Sequence, residues 1–161
     1  MKYNRDQLIQ KLIAHEGMVL KVYQDTLGID TVGIGRNLKG RGISQDELEY
    51  MGMKSIDAVY KLGITEKDAI FLANNDVDIV EEELLRAHPI VDELDEVRQI
   101  VLVDMAFNLG VPRLCKFKNM WAAVYDGDYD KAAVEMLDSR WATQVKSRAI
   151  VLSNAMREGV L

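Results

Sequence analysis

His15-Glu16-Gly17, then Tyr23-Gln24-Asp25-Thr26, then Thr31-Val32-Gly33-Ile34-Gly35 carries the chain out of a helix and into a glycine-punctuated hairpin. Upstream of it, Leu8, Ile9, Leu12 and Ile13 share one face at helical spacing, and Asn4 is a suitable N-cap. A helix is therefore predicted from Asn4 to His15, with Glu16 in its last turn and Gly17 ending it. Downstream, Val19–Tyr23 and Thr31–Ile34 have β character, and Gly28, Gly33 and Gly35 supply the turns of a small antiparallel sheet.

Further along, Ser44-Gln45-Asp46-Glu47 is a capping box that predicts a short helix to about Val59. Thr65-Glu66-Lys67-Asp68 is a second start signal. The apolar pattern after it (Ile70, Phe71, Val77, Val80, Leu84, Leu85) runs to His88-Pro89, which predicts a helix long enough to link two lobes. The remainder reads as helical, in four segments marked by Leu94–Met105, Trp121–Tyr125, Ala132–Leu137 and Val145–Met156. The expected fold class is α+β, mainly α, in one domain over residues 1–161. A small α+β lobe covers 14–64, a linking helix 65–86, and a helical lobe 87–161 that takes back residues 1–13. A cleft between two such lobes is a common place for a binding site.

Composition narrows the function. The chain has 161 residues, 48% of them apolar, and only two prolines, which suits a globular helical protein. No apolar run approaches the roughly 20 residues of a membrane span, so no stable membrane association is expected. The charged start, Met1-Lys2-Tyr3-Asn4-Arg5-Asp6, lacks the apolar core of a signal peptide, so the chain is expected to stay where it is made unless something releases it. Cys115 is alone, which excludes an intrachain disulfide and fits a reducing compartment. A net charge of −6 argues against general nucleic-acid binding.

That charge is uneven. Nine acids between Asp76 and Glu96 face Arg86 alone, and read as a solvated helix face. Arg140, Lys146, Arg148 and Arg157 form a basic tail with no acid among them, suited to an anionic polymer or to an ordinary helix surface. The two histidines, His15 and His88, lie far apart, and no HExxH, CxxC or phosphate-cradling loop is present, so neither a metal nor a cofactor is expected.

Glu16 and Asp25 lie nine residues apart, and the hydroxyl of Thr31 follows six later. Cleavage of a glycosidic bond by water needs two carboxyl groups on opposite sides of the bond, one giving a proton and one activating water or attacking. A glutamate at the negative end of a helix dipole favours the protonated form that a general acid requires. Each residue also has a structural reading: Glu16 as a frayed surface acid, Asp25 as a turn former, Thr31 as an ordinary strand residue.

The Glu-Gly, Asp-Thr and Thr-Val-Gly-Ile-Gly elements resemble, in order and spacing, the catalytic region of T-even phage lysozymes, glycoside hydrolase family 24. Ile64–Ala69, Asn75–Asp78, Leu94–Arg98, Met105–Gly110, Ala132–Val134, Ser139–Trp141, Gln144 and Ser147–Ala149 resemble later parts of the same family in register. The resemblance implies a two-lobe fold with a small sheet lobe and a helical lobe joined by a long helix. It implies that Glu16 is the general acid, that Asp25 orients and activates water on the opposite face, and that Thr31 helps to hold that water. Gly35, Asn37, Phe107, Asn108 and Arg140 would bind the saccharide, and Arg148 would tune the acid.

The implied protein is a monomeric phage endolysin without metal or cofactor. It would be a muramidase that cuts the β-1,4 bond between N-acetylmuramic acid and N-acetylglucosamine in bacterial peptidoglycan, with inversion, for host lysis. It would wait in the host cytoplasm until a holin releases it to the wall. A lytic transglycosylase and a non-catalytic peptidoglycan-binding module are the alternatives; Asp25, Thr31 and the intact trio weigh against them. Four positions depart from the family pattern: Arg36 where many relatives have histidine, Asn37 at an often apolar position, and Met120 and Glu135 near the expected saccharide site.

Overall fold

The computed structural model describes all of residues 1–161. Helix α1 (Arg5–Glu16) leads into strands β1 (Val19–Gln24), β2 (Asp30–Gly33) and β3 (Arg36–Asn37). Helices α2 (Gln45–Met51), α3 (Ile56–Leu62) and the 22-residue α4 (Glu66–Ala87) follow. A 3-10 turn over Pro89–Glu93 precedes α5 (Glu96–Leu109), α6 (Val111–Leu114), α7 (Lys118–Tyr125), α8 (Tyr129–Leu137), α9 (Arg140–Val145) and α10 (Ser147–Glu158). This is a mainly helical α+β fold with one three-stranded antiparallel sheet in the order β1-β2-β3.

The local start signals act as the sequence suggests. Asn4 Oδ1 accepts from Gln7 N at 3.1 Å at the head of α1. Ser44 and Glu47 close a reciprocal capping box on α2. Two long helical segments are corrected. The helix expected from Ser44 to about Val59 breaks at Gly52, which caps α2 in the left-handed region, and α3 starts afresh after Ser55. The segment expected from Val145 breaks at Lys146, the only non-glycine residue with a positive φ, so α9 and α10 are separate helices. The short strand β3 is an addition that Arg36 and Asn37, neither of them a strand former, could not announce.

The acidic run is the solvated face expected of it: Asp78, Glu82, Glu83, Asp92, Glu93, Asp95 and Glu96 are exposed, and only Asp76 and Glu81 are half-buried. Asp76 binds Arg36 and Arg41, Asp78 binds Arg5, and Glu81 accepts from both Tyr3 and Arg5. Asp95 caps α5 and pairs with Arg98. The basic tail, by contrast, is not a continuous surface: Arg148 is buried.

The chain divides into two compact units. One is Ile9–Asp76, here the sheet unit; the other is Met1–Leu8 with Val77–Leu161, here the helical unit. In the helical unit, α5 is buried from Gln99 to Ala106, as expected of a helix that is apolar nearly all round. Gln99 satisfies its buried amide by donating to Val91 O and accepting from Lys2 N. No helix is long and apolar enough to cross a membrane.

Candidate active site

Glu16 closes α1, where Gly17 N returns to Ile13 O at 2.8 Å and ends the helix. Its half-buried carboxylate lies against the backbone of Gly35, in the turn between β2 and β3. A Cβ built on Gly35 would come within 3.2 Å of Glu16 Oε2, and the φ of Gly35 is +71°. Glycine is needed here for two separate reasons, the backbone conformation and the approach of the carboxylate.

Asp25 follows β1 and opens the β1–β2 turn. Its backbone N donates to Ile29 O at 3.0 Å, and its Oδ1 accepts from Leu27 N at 2.8 Å and Ile29 N at 2.9 Å. The turn-forming reading of Asp25 is therefore correct, and it occupies one carboxylate oxygen. Oδ2 takes no part in those bonds. Thr31, in β2, is buried, and its hydroxyl donates to Ile29 O at 2.9 Å. With its proton committed, Oγ1 can only accept from a further partner.

Asn37 ends β3 and faces Thr31 across the ladder. Its Oδ1 accepts from Lys39 N and Gly40 N, both at 2.8 Å, so the carbonyl end of the amide serves the following turn. Arg36, next to it, is 2% exposed. Its Nε donates to Asp76 Oδ2, Nη1 to Gly42 O and Glu47 Oε1, and Nη2 to Glu47 Oε2 and Leu72 O, at 2.8 to 3.1 Å. The departure at Arg36 is thus absorbed by a buried ion network inside the sheet unit.

The remaining expected residues belong to the helical unit. Phe107 and Asn108 lie in the last turn of α5, Phe107 half-buried and Asn108 exposed. Asn108 Oδ1 accepts from Trp141 Nε1 at 2.9 Å, and Trp141 is core. Arg140 is exposed and, with Leu109, Phe117 and Trp141, lines a cavity of about 200 Å³. A second cavity of about 280 Å³, also bordered by Phe117 and Ser139, is lined by Met120 and Glu135, two of the departing positions. Arg148 binds Asp104, Nε to Oδ1 at 2.9 Å and Nη2 to Oδ1 at 2.8 Å, and Asp104 is wholly buried.

Two residues escaped the sequence reading. Asp104 had a signal: one acid inside the apolar run Ile100–Ala106 needs a buried partner. Tyr23 is the other. It stands opposite Thr31 in the β1–β2 ladder, and hairpin register would have found it once Asp25 and Ile29 were recognised as the turn pair. Burial, and then the negative charges of Glu16 and Asp25, push its phenol above the ordinary tyrosine pKa. Tyr23 thus sits in the field of both candidate carboxylates.

A phage lysozyme family model matches residues 13–155. The chain is 30% identical over 151 residues to the pre-baseplate central spike protein Gp5 of Enterobacteria phage T4, across 88% of this chain and 26% of that protein. It therefore spans about a quarter of the spike protein's length. It is 28% identical over 155 residues to probable T4-type lysozyme 1 of Dictyostelium discoideum, and 26% identical over 154 residues to probable T4-type lysozyme 2 of the same organism. Each of these matches covers 91% of both chains.

Proposed function

This chain belongs to the phage lysozyme family, and we propose that it is a muramidase cutting the β-1,4 bond between N-acetylmuramic acid and N-acetylglucosamine. Family membership makes it a lysozyme-type glycoside hydrolase with peptidoglycan as its substrate.

In the proposed reaction Glu16 gives its proton to the glycosidic oxygen as the C1–O bond breaks. Asp25, through Oδ2, takes a proton from the water whose oxygen attacks C1 from the other face. Thr31 Oγ1 accepts the water's second hydrogen. Water between substrate and Asp25 gives inversion, which calls for carboxyl groups about 6.5–9.5 Å apart. The observation that supports these roles is the division of labour in the hairpin: Asp25 Oδ1 and the Thr31 proton serve the fold, while Asp25 Oδ2 and the Thr31 lone pairs do not.

Gly35, Asn37, Phe107, Asn108 and Arg140 are proposed to bind saccharide, and Arg148 to set the acid limb of the rate profile. In the cell, the proposal is a monomer that acts on the host wall after holin-dependent release from the cytoplasm. The similarity to part of a central spike protein favours a second setting for the same chemistry, in which a phage particle carries the enzyme. Proteomics of purified particles separates the two.

The test is clearing of wall suspensions by the wild type, Glu16→Gln and Asp25→Asn. Both variants should lose at least about a hundredfold in rate, and clearing at the wild-type rate by both would overturn the assignment. Product masses that include added water mark hydrolysis, and anhydro products mark a transglycosylase. Wall binding without clearing by the wild type marks a non-catalytic module.

A further inference from the structure

We infer that Tyr23 is a substrate-positioning residue of this site, packing its ring on a saccharide unit and donating its hydroxyl to an oxygen of that sugar. The inference rests on the hydrolytic reading of Glu16, Asp25 and Thr31.

The ladder register pairs Tyr23 with Thr31 and Thr31 with Asn37, so one row crosses all three strands. Directly opposed residues project to the same face of a sheet, with Cβ atoms about 4.5–5.5 Å apart. A phenol, a hydroxyl and an amide therefore share one face, and Thr31 is its centre. The next row, Val32 and Arg36, points the other way and is buried.

Within the shared row, the Thr31 proton goes to Ile29 O and the Asn37 carbonyl to Lys39 N and Gly40 N. The Tyr23 hydroxyl donates to no protein group, and Tyr23 is half-exposed. Burial, and then the charges of Glu16 and Asp25, favour the neutral, donating form of the phenol. A half-exposed aromatic ring with an unspent donor, in the field of two carboxylates, suits an N-acetylhexosamine. Such a sugar offers an apolar C–H face to the ring and hydroxyl or acetamido oxygens to the O–H.

The experiment is calorimetric titration of a defined peptidoglycan tetrasaccharide into Glu16→Gln protein, with and without Tyr23→Phe, together with turnover by the single variants. Tyr23→Phe keeps the ring and the strand, so the melting temperature should hold. Loss of one neutral hydrogen bond should raise Kd, and KM in the active background, by about three- to tenfold, with kcat within about twofold. Tyr23→Leu should raise Kd further. An unchanged Kd in Tyr23→Phe overturns the inference, as does a loss confined to melting temperature. Undiminished turnover by Glu16→Gln would instead overturn the catalytic reading, and the Kd comparison would still decide the role of Tyr23 in binding.

Discussion

Asp25 and Thr31 are fastened to opposite sides of one peptide residue: the Asp25 carboxylate accepts from Ile29 N at 2.9 Å, and the Thr31 hydroxyl donates to Ile29 O at 2.9 Å. The two groups proposed to hold water are thereby fixed through a single turn residue. Pre-ordering of this kind removes the cost of assembling them on each turnover.

This arrangement separates folding from chemistry at Asp25. Asparagine keeps an Oδ1 that accepts from Leu27 N and Ile29 N, so Asp25→Asn should hold stability within about 0.5 kcal/mol. Its activity should nevertheless fall by about 10²–10⁴-fold. Asp25→Ala removes both bonds and should also lower stability by about 1–3 kcal/mol. Urea unfolding beside wall-clearing assays measures both; equal stability losses in the two variants would contradict the turn role.

Arg36 and Glu47 meet side-on, Nη1 to Oε1 at 2.9 Å and Nη2 to Oε2 at 2.8 Å, with both side chains almost fully buried. Arg36→Ala leaves the buried Glu47 carboxylate without a cation and should destabilise by about 3–5 kcal/mol. After Glu47→Ala the guanidinium still has Asp76, so that variant should cost less, and the double change Arg36→Met with Glu47→Leu should cost much less than the sum of the two. A double-mutant cycle in urea checks this; additive losses would deny the pair its coupling.

The same pair sets an acid limit. Burial pushes the Glu47 carboxyl up. Hydrogen bonds from Arg36, Asn75 and the Ser44 N–H, with the Arg36 charge, outweigh it and bring the pKa from 4.5 to about 2. A carboxyl depressed in the folded state adds stability above its unfolded pKa and loses it as pH falls through the folded one. Up to about 3 kcal/mol should thus disappear between roughly pH 4.5 and 2. Thermal melts across that window should show a shallower slope for Glu47→Gln; an identical slope would assign the loss to other acids.

Two glycines should respond differently to alanine. At Gly63, with φ 73° and ψ −166°, a Cβ would stand 2.5 Å from Leu20 O, so the backbone itself must move. Gly63→Ala should cost about 3 kcal/mol or more. At Gly35 the nearest atom is Glu16 Oε2, the end of a side chain. Gly35→Ala should cost only about 1–2 kcal/mol but reduce activity by roughly ten- to a hundredfold, by displacing the carboxylate. Paired melting and activity measurements distinguish the two, and a fully active Gly35→Ala would remove Glu16 from the mechanism.

Arg148→Ala is expected to alter the acid limb of the pH–rate profile. Because Asp104 is wholly buried beneath the guanidinium, that variant should also lose about 3–5 kcal/mol of stability. Arg148→Ala combined with Asp104→Asn should recover part of the stability while keeping the altered limb. An unaltered limb in the stabilised double variant would exclude a tuning role.

The helix–hairpin–long-helix order and the candidate trio were legible in the sequence because they depend on bonds between near neighbours. Asn4 caps Gln7, Ser44 and Glu47 cap each other, and Asp25 closes on Ile29. The break at Gly52 carries a local signal, a glycine suited to a left-handed C-cap ahead of Ser55, whereas Lys146 takes its positive φ with no glycine to announce it. Arg36 reads in sequence as a departure near a saccharide site, yet its partners at Glu47, Leu72 and Asp76 lie 11, 36 and 40 residues away and bury it. Arg148 finds Asp104 across 44 residues, and Tyr23 joins Thr31 only through the sheet register. By itself the sequence determined which residues could do chemistry and which elements carry them. Tertiary structure decided which charges are spent on one another, because a buried ion pair depends on distance in space and low local dielectric, and neither is written in spacing along the chain.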